Sequence, residues 1–233
     1  MVIDKKTIIC IICFSTVMAV VFSLCAEPDN LITQTRSIIP STIIIDAGHG
    51  GFDGGAVVGE VLEKDINLSI SIKLIKLLKA TGFNVITTRT DDSSTESDPT
   101  ATISARKKSD LSNRLQLAKD NPDAVFISIH LNKYPLESCK GAQIFYSPNA
   151  SESTDLAEKI KISIQSLLQP DNKRSIKQGT RSTYLLYYSP IPTVIAECGF
   201  MSNPLELKNL TNEAYQTKMA FAIYCGILSF FNK

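Results

Sequence analysis

Imidazole is scarce in this 233-residue chain, which holds only His49 and His130, so histidine-based chemistry must use one or both. Each sits just beyond an apolar run. Ile43-Ile44-Ile45 leads through Asp46-Ala47-Gly48 to His49, and Ala124 to Ile129 leads directly into His130. A third run, Thr193 to Ala196, ends in Glu197. If the three runs are parallel strands, their carboxyl ends share one edge, and residues 81 and 67 positions apart can meet in one cleft. Glu63 opens an apolar-periodic stretch near the same edge. His, Glu and His with one open position form a catalytic zinc set.

Each residue also has a plainer reading. A lone histidine is commonly a packed or capping residue. Glu63 reads as a first-turn carboxylate favoured by a helix dipole, and Lys64 and Asp65 read as solvated or capping groups. Glu197 is harder to explain this way. It interrupts an otherwise apolar strand, and a buried carboxylate needs a cation, a metal or a proton-transfer task. Six of the eleven glycines fall in residues 48–59, around His49, where they permit close approach to a bound group. The same density suggests a phosphate cradle. However, the stretch has neither the Lys-Ser/Thr ending of a P-loop nor dinucleotide-fingerprint spacing.

These residues need a scaffold. Ile43–Ile45 reads as a buried strand, and a helix opens at Glu63 with Leu68, Ile72, Ile75 and Leu78 at helical spacing and Gly82 as its stop. Phe83–Arg89 follows as a strand, 91–102 as an exposed loop, Ser104–Lys119 as a helix and Ala124–His130 as a strand. The second half continues with strands at Ala142–Tyr146, Thr183–Leu186 and Thr193–Glu197, a helix at Ser153–Leu168, and a closing helix over Tyr215–Phe231. This alternation predicts a single α/β domain over 42–233, its mostly parallel twisted sheet flanked by helices on both faces.

Composition narrows the function. A chain with 44% hydrophobic residues can build a core, which excludes disorder and collagen-like structure. A formal charge of +1 offers no basic face, so nucleic acid is not a main partner. Lys5 and Lys6 precede an uncharged apolar run of 20 residues, Thr7–Ala26, about 30 Å long as a helix. Residues 1–26 read as an export element, either a signal peptide cleaved after Cys25 or a retained membrane anchor. The remainder is exported, touching membrane only through residues 7–26, with 27–41 as a polar linker. Without the leader, 22 basic and 22 acidic residues remain, and of the six cysteines only Cys139, Cys198 and Cys225. That odd number argues against a disulfide scaffold and leaves open one bridge plus a thiol, or three thiols.

Taken together, Ile45-Asp-Ala-Gly-His-Gly-Gly-Phe-Asp-Gly-Gly-Ala56, Glu63-Lys-Asp65, Ser128-Ile-His-Leu-Asn132 and Glu197-Cys-Gly-Phe-Met-Ser-Asn-Pro204 resemble the zinc-dependent N-acetylmuramoyl-L-alanine amidases of the amidase-3 family. The likeness covers about residues 42–231. The short chain, the leader followed directly by the domain, and the stretch Ser94–Arg114 look most like the spore-cortex amidases of spore-forming bacteria. The resemblance implies one Zn²⁺ per chain on His49, Glu63 and His130, Glu197 as catalytic carboxylate, and peptidoglycan as substrate. It also implies action at the developing spore envelope and a possible activating or anchoring protein partner. Asn132 becomes a candidate for orienting substrate, and Asp46 a candidate partner for a histidine. Two rivals stand beside it. Cys198 could act as a nucleophile with a histidine base, although strand alternation turns it away from Glu197. Alternatively, the domain could be a peptidoglycan-binding module without catalysis.

Overall fold

The computed structural model describes residues 41–232. The proposed leader and residues 27–40 of the linker lie outside the described residues. Within the described part, the elements in chain order are β1 (Thr42–Ala47), β2 (Val57–Val58), β3 (Val61–Leu62), α1 (Glu63–Ala80), β4 (Asn84–Thr87), α2 (Ile103–Lys119), β5 (Val125–Asn132), β6 (Gln143–Tyr146), α3 (Glu152–Leu167), β7 (Lys177–Gln178), α4 (Tyr184–Tyr188), β8 (Thr193–Phe200), α5 (Pro204–Leu210) and α6 (Glu213–Phe231). No helix among them is long and apolar enough to cross a membrane.

Six strands form one sheet in the order β4-β1-β5-β8-β6-β7. β4, β1, β5 and β8 are mutually parallel, and β6 runs antiparallel to β8. The mostly parallel sheet is therefore as the sequence predicts, and helices cover both faces. On one face α1, α3 and α6 pack Ile70, Leu74, Leu156, Ile160, Ile223 and Ile227 against Ile43, Ile127 and Val194. On the other, Leu115 and Ala118 of α2 and Leu185 of α4 close over Ile44 and Phe126. Burying each such large side chain contributes about 1.5–3 kcal/mol, which explains why the β-branched runs hold central strands.

Three expectations change. Thr183–Leu186 is not a strand: Tyr184–Tyr188 is one helical turn, with Tyr187 N donating to Thr183 O at 2.9 Å and Ser189 N to Leu185 O at 3.0 Å. Its Thr and Tyr content favours a strand, but Leu185 and Leu186 fill the second face best as a turn. The buried stripe of α1 is Ile66, Ile70, Leu74, Ile75 and Leu78, while Leu68 and Ile72 are only half-buried. That stripe follows i, i+4 spacing because α1 packs on both the sheet and α6. Finally, α5 was not anticipated. Asn203 caps it by accepting from Leu205 N and Glu206 N, with Pro204 as the first helical residue.

Candidate active site

The register sets the site. His130 pairs with Glu197 across β5 and β8, and Glu197 pairs with Gln143 across β8 and β6. Paired residues point to the same face, so His130, Glu197 and Gln143 form a row across three neighbouring strands. Just past this pair the register slips, with the extra residue on β8 between Glu197 and Phe200, a bulge of the kind that re-aims side chains. Beside the row, the loop after β1 carries His49 with a φ of 62°, in the left-handed region that non-glycine residues seldom occupy.

His49, Glu63 and His130 come together with their ligand atoms within 4.8 Å of one another, as the sequence predicts. His49 Nε2 lies 3.3 Å from Glu63 Oε2, and His130 Nδ1 lies 3.1 Å from Glu63 Oε1. The two imidazoles meet edge to face, their centroids 4.9 Å apart. Glu63 is fixed by backbone donors, Ala56 N at 2.8 Å and Leu131 N at 3.0 Å, and by Asn67 Nδ2 at 3.2 Å. The glycines stand where a side chain would not fit. A Cβ at Gly48 would stand 2.3 Å from His130 Nε2, and one at Gly55, where φ is 70°, would stand 2.7 Å from both Glu63 Oε2 and the His49 ring.

The charges are strongly perturbed. Burial alone would lower the His49 pKa, but hydrogen bonds to Asp53 and Glu63 overcome it and raise it to about 9. Glu63 shows the converse: burial opposes ionisation, and bonds to His130 and His49 hold its carboxyl well below the usual range. Asp53 is held low first by His49, and Lys107 adds to this. Glu197 departs the other way, because burial pushes its carboxyl up to about 7, with Glu63 adding to the rise. Its Oε2 is buried and has no hydrogen-bond partner among the described residues. A carboxyl poised near neutrality and lacking a partner is suited to proton transfer. Two imidazoles, a fixed carboxylate and glycines that keep the centre open together suit a borderline-soft divalent ion.

Other predicted residues are placed differently. Asp46 does not hydrogen-bond a histidine. It accepts from Arg114 Nη1, Ser128 Oγ and Thr88 Oγ1, and the partner of His49 is Asp53, 2.8 Å from Nδ1. Lys64 is nearly buried rather than solvated, and its Nζ donates to Gly51 O at 2.9 Å and Asp92 at 2.7 Å. Asp65 is exposed. Asn132 accepts from Met201 N through its backbone carbonyl. Cys198 is fully buried in the core on the opposite face, and burial pushes its thiol up, which removes its nucleophilic form. Cys139, Cys198 and Cys225 are all free thiols.

Sequence reasoning missed the cations that hold the loop. Arg114 reaches Ala47 O at 3.1 Å and His49 O at 2.8 Å. Arg89 reaches Ala47 O at 2.9 Å and Gly48 O at 3.1 Å. With Lys64 on Gly51, the loop's carbonyls are bound from both sides, which keeps His49 in its unusual conformation. Next to His130 a cleft of about 220 Å³ opens between α2 and α4, lined in part by Lys107, Leu111 and Tyr184.

The family model described as N-acetylmuramoyl-L-alanine amidase (Amidase_3) matches residues 43–229. The chain belongs to the N-acetylmuramoyl-L-alanine amidase family. Among relatives of this family, the germination-specific N-acetylmuramoyl-L-alanine amidase of Bacillus subtilis (strain 168) is 36% identical over 191 residues, covering 82% of this chain and 80% of the relative. The CwlD amidase of Clostridioides difficile, solved in complex with the GerS lipoprotein, superposes with a TM-score of 0.79 at 40% identity, covering 82% of this chain and 98% of that one. The N-acetylmuramoyl-L-alanine amidase of Clostridium difficile 630 gives a TM-score of 0.70 at 31% identity, covering 83% and 97%. As an amidase of this family, the protein is a hydrolase, with a His49, Glu63 and His130 group able to hold a metal.

Proposed function

We propose that the protein hydrolyses the amide between the lactyl group of N-acetylmuramic acid and L-alanine in peptidoglycan, with one Zn²⁺ held by His49, Glu63 and His130. The observation that carries this reading is the unpartnered, buried Glu197 Oε2 in the same row as His130, in a member of this family. Zinc, when bound, supplies Lewis-acid polarisation of the scissile carbonyl and acidifies water towards neutrality. Glu197 takes the proton from the attacking water and returns it to the leaving L-alanine nitrogen as the C–N bond breaks, so a single carboxyl serves as base and then acid. Asp53 holds Nδ1 of His49, which leaves Nε2 for the ion, and packing of His130 Nε2 against Gly48 leaves Nδ1.

The likeness to a germination-specific relative favours spore cortex as the wall acted on. Export by residues 1–26, whether as signal peptide or anchor, with a 27–41 linker and a 42–233 catalytic domain, matches a substrate outside the cytoplasm. A protein partner that anchors or activates the enzyme belongs to the same reading, because the CwlD relative was solved in complex with a lipoprotein.

Metal entry must displace the proton that His49 retains up to about pH 9 in the metal-free site. Zinc affinity is therefore expected to rise about tenfold per pH unit below pH 9 and then flatten, since only neutral imidazole ligates. Titrations at pH 6, 7 and 8 check this, and a flat profile contradicts it. Chelation followed by metal restoration should abolish and then recover stem-peptide release, and Cys198→Ala should keep it within a few-fold. Activity that survives the chelator but is lost to a thiol reagent would instead make Cys198 the nucleophile.

A further inference from the structure

The row across the sheet does not end at Gln143. Arg174 Nη1 lies 3.4 Å from Gln143 Oε1, so the order along the edge is His130, Glu197, Gln143, Arg174. The guanidinium is held firmly. Its Nε donates to Lys140 O at 2.8 Å, and its plane lies over the Phe200 ring, 4.6 Å from the centroid. Among the described residues no carboxylate lies within salt-bridge distance of Arg174. Of the other cations near the site, Lys107 pairs with Asp53, Lys64 with Asp92, and Arg114 with Asp46 and Asp110, while Arg89 is spent on the backbone carbonyls of Ala47, Gly48, Lys64 and Asp91. Beyond Arg174 a cavity of about 600 Å³ opens, lined also by Lys140, Lys173, Asp171 and Glu206. Glu206 is spent on backbone donors, accepting from Phe200 N at 2.7 Å and Gly141 N at 2.8 Å. This end of the row is cationic and open.

We propose that Arg174 binds the α-carboxylate of the second residue of the peptidoglycan stem peptide, and so selects stems in which that carboxylate is free over stems in which it is amidated. This rests on the amidase reading above. The two sides of the scissile amide differ in charge, since the lactyl-linked sugar is neutral and the peptide carries carboxylates. The unpaired guanidinium therefore marks the peptide side. The reach also fits. One strand spacing of about 4.8 Å separates Glu197 from Gln143, Arg174 Nη1 lies 3.4 Å beyond the Gln143 side-chain oxygen, and two extended residues span about 7 Å before the carboxylate's own reach is added. A planar guanidinium fixed by its Nε and by ring stacking is arranged for paired bonds to a carboxylate.

The test compares two muropeptides, identical except that the second stem residue is γ-linked D-glutamate in one and its α-amide in the other, with wild type, Arg174→Gln and Arg174→Lys. Wild type should show at least a tenfold higher kcat/KM on the free acid. Arg174→Gln should lose about 10–100-fold on the acid and stay within twofold on the amide, and Arg174→Lys should keep part of the preference. Equal rates of wild type on the two substrates overturn the proposal, as does an equal loss by Arg174→Gln on both, which would mark a structural role. Cleavage of both substrates at equal rates leaves the amidase reading intact, whereas cleavage of neither overturns both.

Discussion

Glu197→Gln is expected to bind zinc as tightly as wild type and to lose roughly 10²–10⁴-fold in kcat, with little change in KM. Glutamine keeps the shape and polarity of the side chain but cannot accept and return a proton at Oε2, the atom that has no partner among the described residues. The loss should be confined to chemistry because Glu197 is outside the group that gathers at His49, Glu63 and His130. The pH profile gives a second handle. With the carboxyl pushed up to about 7 by burial, the metal-free wild type should be progressively destabilised relative to Glu197→Gln as pH rises. The protonated form is favoured by the fold, so the stability it contributes is present below the ordinary value near 4.5 and is lost as pH passes about 7. Thermal melts of chelated protein at pH 5 and pH 8 measure this. A variant that turns over substrate at near the wild-type rate removes Glu197 from the reaction.

Arg114→Met is expected to cost about 3–5 kcal/mol and to lower the melting temperature by on the order of 10 °C. Arg114 and Asp46 are 3% and 1% exposed, and removing the guanidinium leaves a buried carboxylate with only hydroxyl donors. In the wild type, burial opposes ionisation of Asp46, but Arg114 and then Ser128 hold its carboxyl below the usual range. Its ionised form thus stabilises the fold above the ordinary carboxylate value, and this is lost as pH falls through the lowered one. Without Arg114 the burial is opposed chiefly by the Ser128 and Thr88 hydroxyls, and the carboxyl titrates higher than in the wild type. The gap between variant and wild type should be widest near pH 7 and narrow towards pH 4. Zinc affinity should fall too, because Arg114 also holds His49 O at 2.8 Å. Melting temperatures within 2 °C of each other at both pH values would show that this network is not what fixes the loop.

The convergence of His49, Glu63 and His130 was legible because each lies where a strand ends or a helix begins, and a parallel sheet gathers such ends on one edge. Glu197 was legible as a carboxylate inside an apolar strand. Arg114 was not. It stands in a polar helix among Arg106, Lys107 and Lys108, where a charge reads as solvated, and its partner Asp46 is 68 residues away. Asp53, four residues after His49 inside the glycine-rich loop, could have been found as a partner from spacing alone. The same holds for α5, whose Asn203-Pro204 start is a standard helix signal. By contrast, the α4 turn and the i, i+4 stripe of α1 depend on what each packs against, which local periodicity cannot show.

The central claim is that one zinc site and one carboxylate release peptide stems from the glycan. Mass analysis of peptidoglycan fragments after incubation with purified residues 27–233, with zinc measured on the same sample, tests it most directly. Free stems beginning at L-alanine, intact lactyl-bearing sugars and about one zinc per chain are the expected result. Zinc-loaded protein that leaves the stems attached, or cuts the wall at a different bond, would contradict it.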